Sequence, residues 1–590
     1  MPTTELPLPS HFIIQFTKPP CKSMMPLQPH TNISFHRRRK KKEERRQYPL
    51  KSTPTPHLPY LSFSLMPGMS ETATVSPQVE LQQQQPPPPS VEFATERLTV
   101  DDMLLKYCGE FGRWQWKNFL LANLSWTLEA LHTMVVIFAD HEPHWQCVAG
   151  TACNRAAKSV CELKPGSWEW VEGRRSSTVA EWGLICGYKY KVGLAQAMFF
   201  LGCMMGSGLF GYLSGSALGR KRSLALVSIF NAIFGLLTAA SPYYWTYVLL
   251  RALTGISTGG NAVCAFVLAT EPIGPTKRGA AGMSSFYFFA SGAAIISGMA
   301  YAIRSWRKLY IASSIPSLVF LIIVLPFISE SPRWYLVHGK LDEAMKLMNS
   351  IAKCNGKHLP KGAILLLDKE AIGDDAKTNH NHEGHSSFAI LIRSPIARTR
   401  LIIAMAISFV GAVIYYGLSL NVVNLKTNLY LSVFLNAVAE TPAFLITAAL
   451  LGKLGRKWIG VGTLWFSGAS CLIGSLLRGH GRWKVGRMVC GMMGIFGMAG
   501  NYNLLFLYLE ELFPTVVRNA AIGAATLAIQ MGAVMAPFVV VLGGRLTFGV
   551  FAGCGLVGGI LVFFLPETLN KPLYDTMAGL EHGERGSIDA

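Results

Sequence analysis

The sequence predicts an all-α membrane protein in which twelve transmembrane helices form two pseudo-symmetric six-helix bundles. Its composition, its long apolar segments and an internal repeat each support this fold class. Half of the 590 residues are apolar, only 15% are charged, and the mean hydropathy is +0.31. Soluble domains carry about 25% charged residues, so these values indicate a chain that crosses the lipid bilayer several times.

Twelve apolar segments are long enough to cross the hydrocarbon layer as helices, which takes about 20 residues. An even number of spans places both termini on one side of the membrane. The basic cluster from Arg220 to Arg222, directly after the second span, indicates that this side is the cytoplasm. The predicted spans are residues 118–138, 191–213, 223–240, 243–270, 281–302, 308–328, 401–422, 428–450, 457–477, 485–508, 519–542 and 547–565.

Four patterns of the first half recur in the second at a nearly constant offset of about 236–240 residues. Many secondary transporters are built from two repeated halves that pack against each other. The recurring patterns are Gly219-Arg220-Lys221 and Gly455-Arg456-Lys457, Arg251 and Arg487, Glu271 with Arg278 and Glu511 with Arg518, and Glu330 and Glu567. Eight of these residues are candidates for coupling or gating, namely Arg220, Arg456, Arg251, Arg487, Glu271, Arg278, Glu511 and Arg518.

The composition divides the chain into five regions. Residues 1–95 are predicted to be a disordered cytoplasmic tail, 96–328 the first bundle with an extracytoplasmic loop at 139–190, 329–400 a cytoplasmic linker, 401–566 the second bundle, and 567–590 a cytoplasmic tail. A short interfacial helix is predicted from about Leu98 up to the first span. Much of the net charge of +20 lies in the first tail and in loops, so we expect no nucleic-acid binding. Met66 or Met69 could serve as the start of the working chain.

The loop at 139–190 holds four cysteines, Cys147, Cys153, Cys161 and Cys186. In the predicted orientation this loop lies outside the cytoplasm, where disulfides persist. We expect two disulfide bonds among these residues, and the sequence leaves their pairing open. The linker carries His380, His382 and His385, for which a flexible polar segment is a better interpretation than a metal site. No metal and no cofactor are expected.

Two acidic residues within spans are candidates for the substrate site. A charged side chain at membrane depth costs about 2.5–3.5 kcal/mol on insertion scales, so it tends to face a cavity or a partner. Glu129 in the first span and Glu440 in the eighth could supply negative potential for a cation or accept a coupling proton. The alternative is that they pair with Arg251 or Arg487, or extend towards a span end.

Aromatic and amide side chains in the spans extend this candidate site. Aromatic ring faces attract quaternary ammonium ions, and amides can line a polar cavity. Membrane packing and hydrogen bonds between helices are equally ordinary uses of both. The candidate rings are Trp126, Phe409, Tyr415 and Tyr416, and the candidate amides are Gln196, Asn231, Asn261, Asn436, Asn501 and Gln530.

Several motifs carry a resemblance to a known family. The stretch SSTVAEWGLICGYKYKVGLAQAMFFLGCMMGSGLFGYLSGSALGRK, with SESPRWYLVHGKLDEA and ELFPTVVRN, resembles the organic ion transporters of the major facilitator superfamily. LEALHTM, YYGLSLNV and FLPETLNKPL are most similar to the plant organic cation/carnitine transporters within it. The resemblance implies a carnitine-like substrate, and it implicates an Arg in the position of Arg251 in proton coupling. A structural brace is the alternative for Arg251.

The resemblance also shows departures. The family carries an Asp that helps to hold the two halves together where this chain has Gly215, and a matching Asp where it has Gly452. Their loss predicts looser gating. Gln530 falls where animal relatives selective for cations carry Asp and those selective for anions carry Arg, so its neutral amide leaves the charge preference open and suits a zwitterion.

Other classes of function lack their motifs. HEPH at His141 does not have the spacing of a zinc protease, and no phosphate-binding GxxxxGK loop is present for a pump. Ser257 in GISTG lies inside an apolar span, so it is a poor nucleophile. A channel would need a filter or a charged ring.

A non-enzymatic secondary transporter for small organic cations or zwitterions is therefore predicted. It would lie in the plasma or vacuolar membrane, with a possible coupling proton and an unknown oligomeric state. A transport-deficient receptor, or a carrier of neutral or anionic metabolites, is the alternative.

Overall fold

The computed structural model describes residues 97–148, 153, 157, 159–216, 218–360, 362–366, 387–425, 427–477, 483–569, 577 and 580–581. The predicted tail at 1–95, the possible starts Met66 and Met69, and the linker histidines at 380, 382 and 385 lie outside these residues. So does most of the predicted tail at 567–590.

Twelve helices of the described chain are long and apolar enough to cross a membrane, which confirms the predicted number of spans. Several begin earlier than predicted, because helix continues beyond the apolar layer into polar residues whose long side chains can reach water. Spans 1 to 12 are Arg113–Ala139, Cys186–Gly215, Arg220–Ala239, Tyr244–Thr270, Pro275–Ala302, Trp306–Phe327, Pro395–Leu425, Leu429–Leu454, Arg456–Leu476, Trp483–Leu512, Val516–Val541 and Gly544–Phe563.

Spans 1–6 and spans 7–12 use the same packing plan. In the first half, span 1 packs against spans 4, 5 and 6, span 4 against spans 2 and 3, and span 3 against span 6. In the second half, span 7 packs against spans 10, 11 and 12, span 10 against spans 8 and 9, and span 9 against span 12. The pairing of spans in one half therefore matches that in the other, which is the arrangement that the repeated residues predict.

The spans alternate in direction, which gives the molecule two ends. We call the end at which residues 140–185 connect spans 1 and 2 the loop end. The opposite end, where residues 328–394 connect spans 6 and 7, is the linker end. Spans 3 and 9 both begin at the linker end, after a glycine in the left-handed region, Gly219 with φ 86° and Gly455 with φ 84°.

Close packing of spans 2 and 4 depends on small residues. A Cβ atom at Gly206 would collide with the backbone of Ile256, and one at Gly259 would collide with the backbone of Cys203. Glycine at these positions lets the two backbones approach each other, as small residues do in membrane helix pairs.

The two halves meet along spans 2 and 11 and along spans 5 and 8. Near the loop end, Ser297 Oγ donates to the backbone oxygen of Tyr430 at 2.6 Å, and the Tyr430 ring stacks on Phe138 with centroids 5.6 Å apart. Nearer the middle, the rings of Phe200 and Tyr416 lie 4.7 Å apart. The contact between the halves therefore consists mainly of rings and apolar side chains.

The loop between spans 1 and 2 is folded. Strand Trp145–Cys147 pairs antiparallel with strand Trp168–Trp170, and helix Thr178–Trp182 follows. Among the four cysteines of this loop, Cys147 is bonded to Cys153 and Cys161 to Cys186. The loop is held to the bundle by Glu181, which pairs with Arg307 at the start of span 6 at 2.6 Å.

Two predictions at the linker end are partly corrected. The linker is not flexible throughout, because Pro332–Val337 and Leu341–Cys354 are helices. The predicted interfacial helix is a short helix, Val100–Met103, that continues as a π-helix over Leu104–Cys108. Its apolar side chains are covered by the linker helices in one shared cluster, so the apolar faces of both segments are buried against each other.

Candidate functional site

The repeated residues of the first half form one polar network at the linker end. Arg220 Nη2 pairs with Glu271 Oε1 at 3.0 Å, and Arg220 Nη1 donates to the backbone oxygen of Ser214 at 2.8 Å. Glu330 accepts the backbone N–H groups of Arg220 and Lys221, each at 3.1 Å. A carboxylate at this place satisfies free N–H groups at the start of span 3 and opposes the helix dipole favourably.

The second half has the same network, with shorter hydrogen bonds to its acids and two contacts between Arg456 and Glu511. Arg456 donates from both Nε and Nη2 to the two oxygens of Glu511, each at 2.8 Å. Glu567 accepts the backbone N–H groups of Arg456 at 2.8 Å and Lys457 at 3.0 Å. Thr568 Oγ1 adds a hydrogen bond to Glu511 at 2.6 Å. The pair in this half is bidentate, and such pairs are the stronger kind.

The arginines that follow these acids differ between the halves. Arg278 Nη2 pairs with Asp101 Oδ1 at 2.7 Å, and Arg333 of the linker binds the same oxygen. Arg518, its counterpart, donates from Nε to the backbone oxygen of Phe513 at 3.3 Å. Burial raises the pKa of Asp101, but the hydrogen bonds and charges of Arg333 and Arg278 outweigh it, so the pKa lies below its usual value.

Gly215 and Gly452 occupy the positions where the resemblance implies Asp. A Cβ atom at either glycine would meet no atom within 4 Å among the described residues. An Asp side chain can therefore be introduced at both positions without a collision at Cβ.

Arg251 is fully buried in span 4 near the loop end. Its Nη1 donates to the backbone oxygen of His132 at 3.0 Å and its Nη2 to Gln196 Oε1 at 3.1 Å. The guanidinium carbon lies 4.0 Å from the centre of the Phe199 ring. Arg251 thus links spans 1, 2 and 4, which is the geometry of a brace, and its charge faces a ring.

Arg487, its counterpart in span 10, has simpler surroundings. It donates from Nε to the backbone oxygen of Gly474 at 3.2 Å, and its Nη2 binds the backbone oxygen of Leu477. Both acceptors lie at the end of span 9. Neither Arg251 nor Arg487 pairs with Glu129 or Glu440 in the described chain, so the alternative of arginine pairing for the two acids is wrong.

The two acids lie midway along spans 1 and 8. Glu129 is partly accessible, and its buried Oε2 has no hydrogen-bond partner in the part of the chain that the structure describes. Glu440 is 5% exposed, and its Oε1 accepts from Tyr415 at 3.1 Å. The middle of the bundle therefore holds one carboxylate from each half, and neither is neutralised by a described basic side chain.

Aromatic rings surround these acids. Tyr415 lies 5.3 Å from Tyr416 and 4.9 Å from Tyr502, centroid to centroid. Trp126 lies edge-on to Phe286 at 5.6 Å, and its Nε1 has no partner among the described residues. Phe409 is half-buried in the core of the second half. Of the predicted rings, Tyr415 and Tyr416 lie beside each other, and Tyr415 contacts Glu440. Trp126 packs on rings of the first half and Phe409 within the second half.

The candidate amides separate into two groups. Asn231 accepts from Ser257 at 2.7 Å and Asn261 donates to the backbone of Ser125 at 2.9 Å, so both bind neighbouring helices. Asn436 is buried on span 8, Gln530 is half-buried on span 11, and the Nδ2 of buried Asn501 has no described partner.

A cavity of about 530 Å³ lies at the loop end between the two halves. Asp140 and Gln196 line it together with residues of the loop and of spans 7 and 11. Asp140 Oδ1 accepts from Thr178 Oγ1 at 2.6 Å and from Tyr247 at 2.9 Å, and Tyr247 is hydrogen-bonded to Tyr310 at 2.9 Å. Glu129 and Glu440 do not line this cavity.

Sequence reasoning missed several of these groups. Asp140 and Tyr247 lie at span ends, where polar residues are ordinary, so their positions gave no signal. Asp101 precedes the first span by a dozen residues, and its partners Arg278 and Arg333 are distant in sequence. Tyr502 could have been identified from the sequence, because it lies between two polar residues, Asn501 and Asn503, inside an apolar span.

Residues 173–578 match the family described as Sugar (and other) transporter. The chain is 65% identical to Organic cation/carnitine transporter 4 of Arabidopsis thaliana, over 83% of this chain and 93% of that protein. It is 34% identical to Organic cation/carnitine transporter 2 of the same plant, over 83% of this chain and 95% of the relative. The inward-open structure of the xylose transporter XylE from E. coli superposes with a TM-score of 0.56 at 17% identity, covering 79% of this chain and 99% of XylE.

Proposed function

Because this chain belongs to the organic cation/carnitine transporter family of the major facilitator superfamily, we propose that it carries small organic cations or zwitterions by alternating access. That the chain is a multi-pass membrane transporter rather than an enzyme follows from its family and its twelve spans. The substrate class, the mechanism and the residues that serve it are our proposal.

The two carboxylates in the middle of the bundle are the observation that carries the proposal. Glu129 comes from the first half and Glu440 from the second, and the Oε2 of Glu129 has no described hydrogen-bond partner. A buried carboxylate without a partner is costly. A cationic ligand between the halves would satisfy both acids at once, and its binding would therefore depend on the relative position of the halves.

The rings beside the acids favour a cation with a diffuse charge. Tyr415 and Tyr416 lie next to each other, and Trp126 lies on the side of the first half. A quaternary ammonium ion binds to ring faces because its charge is spread out and poorly hydrated. Carnitine, which appears in the names of the relatives, is a zwitterion with this group, and the neutral Gln530 is compatible with its carboxylate.

We assign the loop end to the outside of the cytoplasm and both termini to the inside. The disulfides Cys147–Cys153 and Cys161–Cys186 support this orientation, because such bonds persist in oxidising compartments. The basic residues Arg220 and Arg456 at the linker end agree with an excess of positive charge on the cytoplasmic side. Either the plasma membrane or the vacuolar membrane fits this assignment.

Uptake into proteoliposomes tests the proposal. We expect the purified chain to accumulate labelled carnitine and labelled choline in excess of an anion such as benzoate. Replacing Glu129 or Glu440 by Gln should lower uptake at low substrate concentration by about tenfold or more, because the electrostatic attraction between the carboxylate and the cation is lost, which is about 4 kcal/mol at about 4 Å for an effective dielectric constant of about 20. Glu343→Gln, in an exposed position of the linker, is the matched control.

Two results would overturn the proposal. One is uptake and affinity that are the same in Glu129→Gln, Glu440→Gln and the unaltered chain at every pH. The other is a preference for the anion. Repeating the uptake at two external pH values, with and without an uncoupler, reports whether a proton is coupled to transport and whether Glu129, Glu440 or Arg251 is needed for that coupling.

A further inference from the structure

The cavity at the loop end is separate from the central acids, because neither Glu129 nor Glu440 lines it. We propose that this cavity is a second, outer binding site for a protonated amine, with the carboxylate of Asp140 as its anchor. Its volume of about 530 Å³ is within the range of about 300–1,000 Å³ that small-molecule sites occupy.

Asp140 is an incompletely satisfied acid in the wall of this cavity. Its side chain is 7% exposed. Oδ1 accepts from Thr178 of the loop and from Tyr247 of span 4, whereas Oδ2 is buried without a hydrogen-bond partner among the described residues. Both donors are neutral hydroxyl groups. An ammonium N–H in the cavity would supply the missing donor and would also neutralise the charge.

Gln196 gives the site a second polar group. Its side chain is 3% exposed, and its Oε1 is occupied by Arg251. Its Nε2 is buried without a described partner, and the residue lines the same cavity as Asp140. Asp140 and Gln196 therefore each keep one buried polar atom without a described partner, an acceptor in Asp140 and a donor in Gln196. A small amine that also carries a hydroxyl or carboxylate oxygen would satisfy both.

The charges around the cavity favour a cation. Among the described residues, its wall carries Asp140, Glu142 and Lys189, with His141 and His144, so the described acids outnumber the lysine when both histidines are neutral. Behind Asp140, the packed spans present Tyr244, Tyr247, Tyr310 and Arg251. The guanidinium of Arg251 is hydrogen-bonded to His132 and Gln196, so it does not occupy the free oxygen of Asp140.

This site and the central one differ in the kind of cation that they suit. A quaternary ammonium ion has no N–H group to donate to Asp140 and binds best against several ring faces. Apart from its histidines, the outer cavity has one aromatic side chain, Trp145, among the described residues of its wall. A primary or secondary amine therefore gains a charge-assisted hydrogen bond in the outer cavity that a quaternary amine cannot make.

Protons should compete with the amine for the same carboxylate. Asp140 follows span 1, and burial raises its pKa to about 6, although hydrogen bonds from Thr178 and Tyr247 and the charge of Arg251 act in the opposite direction. Above this pH the carboxylate is charged and can hold the amine. Below it the anchor is neutral, so the affinity should fall about tenfold for each pH unit.

Equilibrium dialysis of the purified full-length protein tests the site with two matched probes. Ethanolamine carries a primary ammonium group, and choline is the same molecule with a quaternary one. In Asp140→Asn at pH 7.5 we expect the Kd of ethanolamine to rise about 10–100-fold, as for the loss of one charge-assisted contact, and that of choline to change less than about twofold. Glu172→Gln, an exposed acid of the same loop outside the cavity wall, should match the unaltered chain.

The pH profile keeps the proposal testable if Asp140→Asn does not fold. In the unaltered chain, and in Thr178→Val, which keeps the carboxylate, ethanolamine affinity should decline between pH 7.5 and pH 5. A flat profile in the unaltered chain, or the same ethanolamine affinity in folded Asp140→Asn, would overturn the outer site. Dialysis measures binding whether or not the chain transports, so this result and the uptake result above can fail independently.

Discussion

The two halves of the molecule agree at the linker end and differ at the loop end. At the linker end, Arg220 and Arg456 each begin a span and pair with an acid at the end of the next span. At the loop end, Arg251 joins three spans and faces a ring, whereas Arg487 binds only backbone oxygens of span 9 in the described chain. The repeat thus preserves the Arg220–Glu271 and Arg456–Glu511 pairs at the linker end but not the contacts of Arg251 and Arg487 at the loop end.

This difference indicates that the contacts at the two ends serve different purposes. Each half needs its own contacts to fix where its helices begin and how they pair, so these contacts are present in both halves. Contacts that line a cavity need to be made only once. The first half has the additional polar groups Asp140, Tyr247 and Gln196, and the second half has Glu440 with Tyr415. The sharpest tests of this account compare equivalent residues of the two halves.

The largest difference is expected between Arg251→Lys and Arg487→Lys. Lysine cannot reach both the His132 oxygen and Gln196, and an orphaned buried acceptor costs about 1–3 kcal/mol. Arg251→Lys should therefore lower the melting temperature by several degrees and reduce uptake strongly. Arg487→Lys should have a smaller effect on both, because water can replace it at the end of span 9. Equal losses in the two variants would contradict the comparison.

Double-mutant cycles on the two linker-end pairs should show a smaller difference. The Arg456–Glu511 pair is bidentate and the Arg220–Glu271 pair has a single contact, although both are about equally buried. We expect a coupling energy of about 2–3 kcal/mol for the first pair and about 1 kcal/mol for the second, within the range for neighbouring residues. Alanine variants followed by thermal unfolding provide the measurement. A stronger coupling in the first half would show that the bidentate geometry is unimportant.

Asp101 should make the stability of the first half more sensitive to acidic pH than that of the second half. Its folded-state pKa is lowered by Arg333 and Arg278, so its stabilisation is complete at neutral pH and is lost as the pH falls below the ordinary aspartate value of 3.8. Asp101→Asn should lower the melting temperature slightly at pH 7 and show a smaller further decline towards pH 3. An acid decline as steep as that of the unaltered chain would exclude this role.

The smallest effect is expected for Gly215→Asp and Gly452→Asp. Gly215 and Gly452 lie in the C-terminal turns of spans 2 and 8, where an added carboxylate opposes its own helix dipole by about 0.3–1 kcal/mol. Each change should therefore alter the transport rate by roughly two- to fivefold in one direction, and the double variant by more. Space for the new Cβ atoms is available at both positions. Rates that match those of the unaltered chain would count against a weakened contact between the halves.

The sequence predicted those parts of the fold that follow from the length of apolar segments and from internal repetition of the sequence. Twelve apolar segments and four repeated patterns gave the spans and their duplication, because hydrophobic thickness and helix rise leave few alternatives. The folded linker was missed, since its apolar residues become a core only when the segment from Val100 to Cys108 covers them. The central rings were found in part, because Tyr415 and Tyr416 stand beside a buried acid only in three dimensions.

Counterflow is the most direct test of the central claim that this chain is a carrier whose two halves expose one central site alternately. Proteoliposomes loaded with unlabelled carnitine or choline and diluted into the labelled compound should show a transient accumulation of label that requires Glu129 and Glu440. Binding of the label to the purified protein without any exchange across the vesicle membrane would contradict the account and would identify a receptor built on a transporter fold.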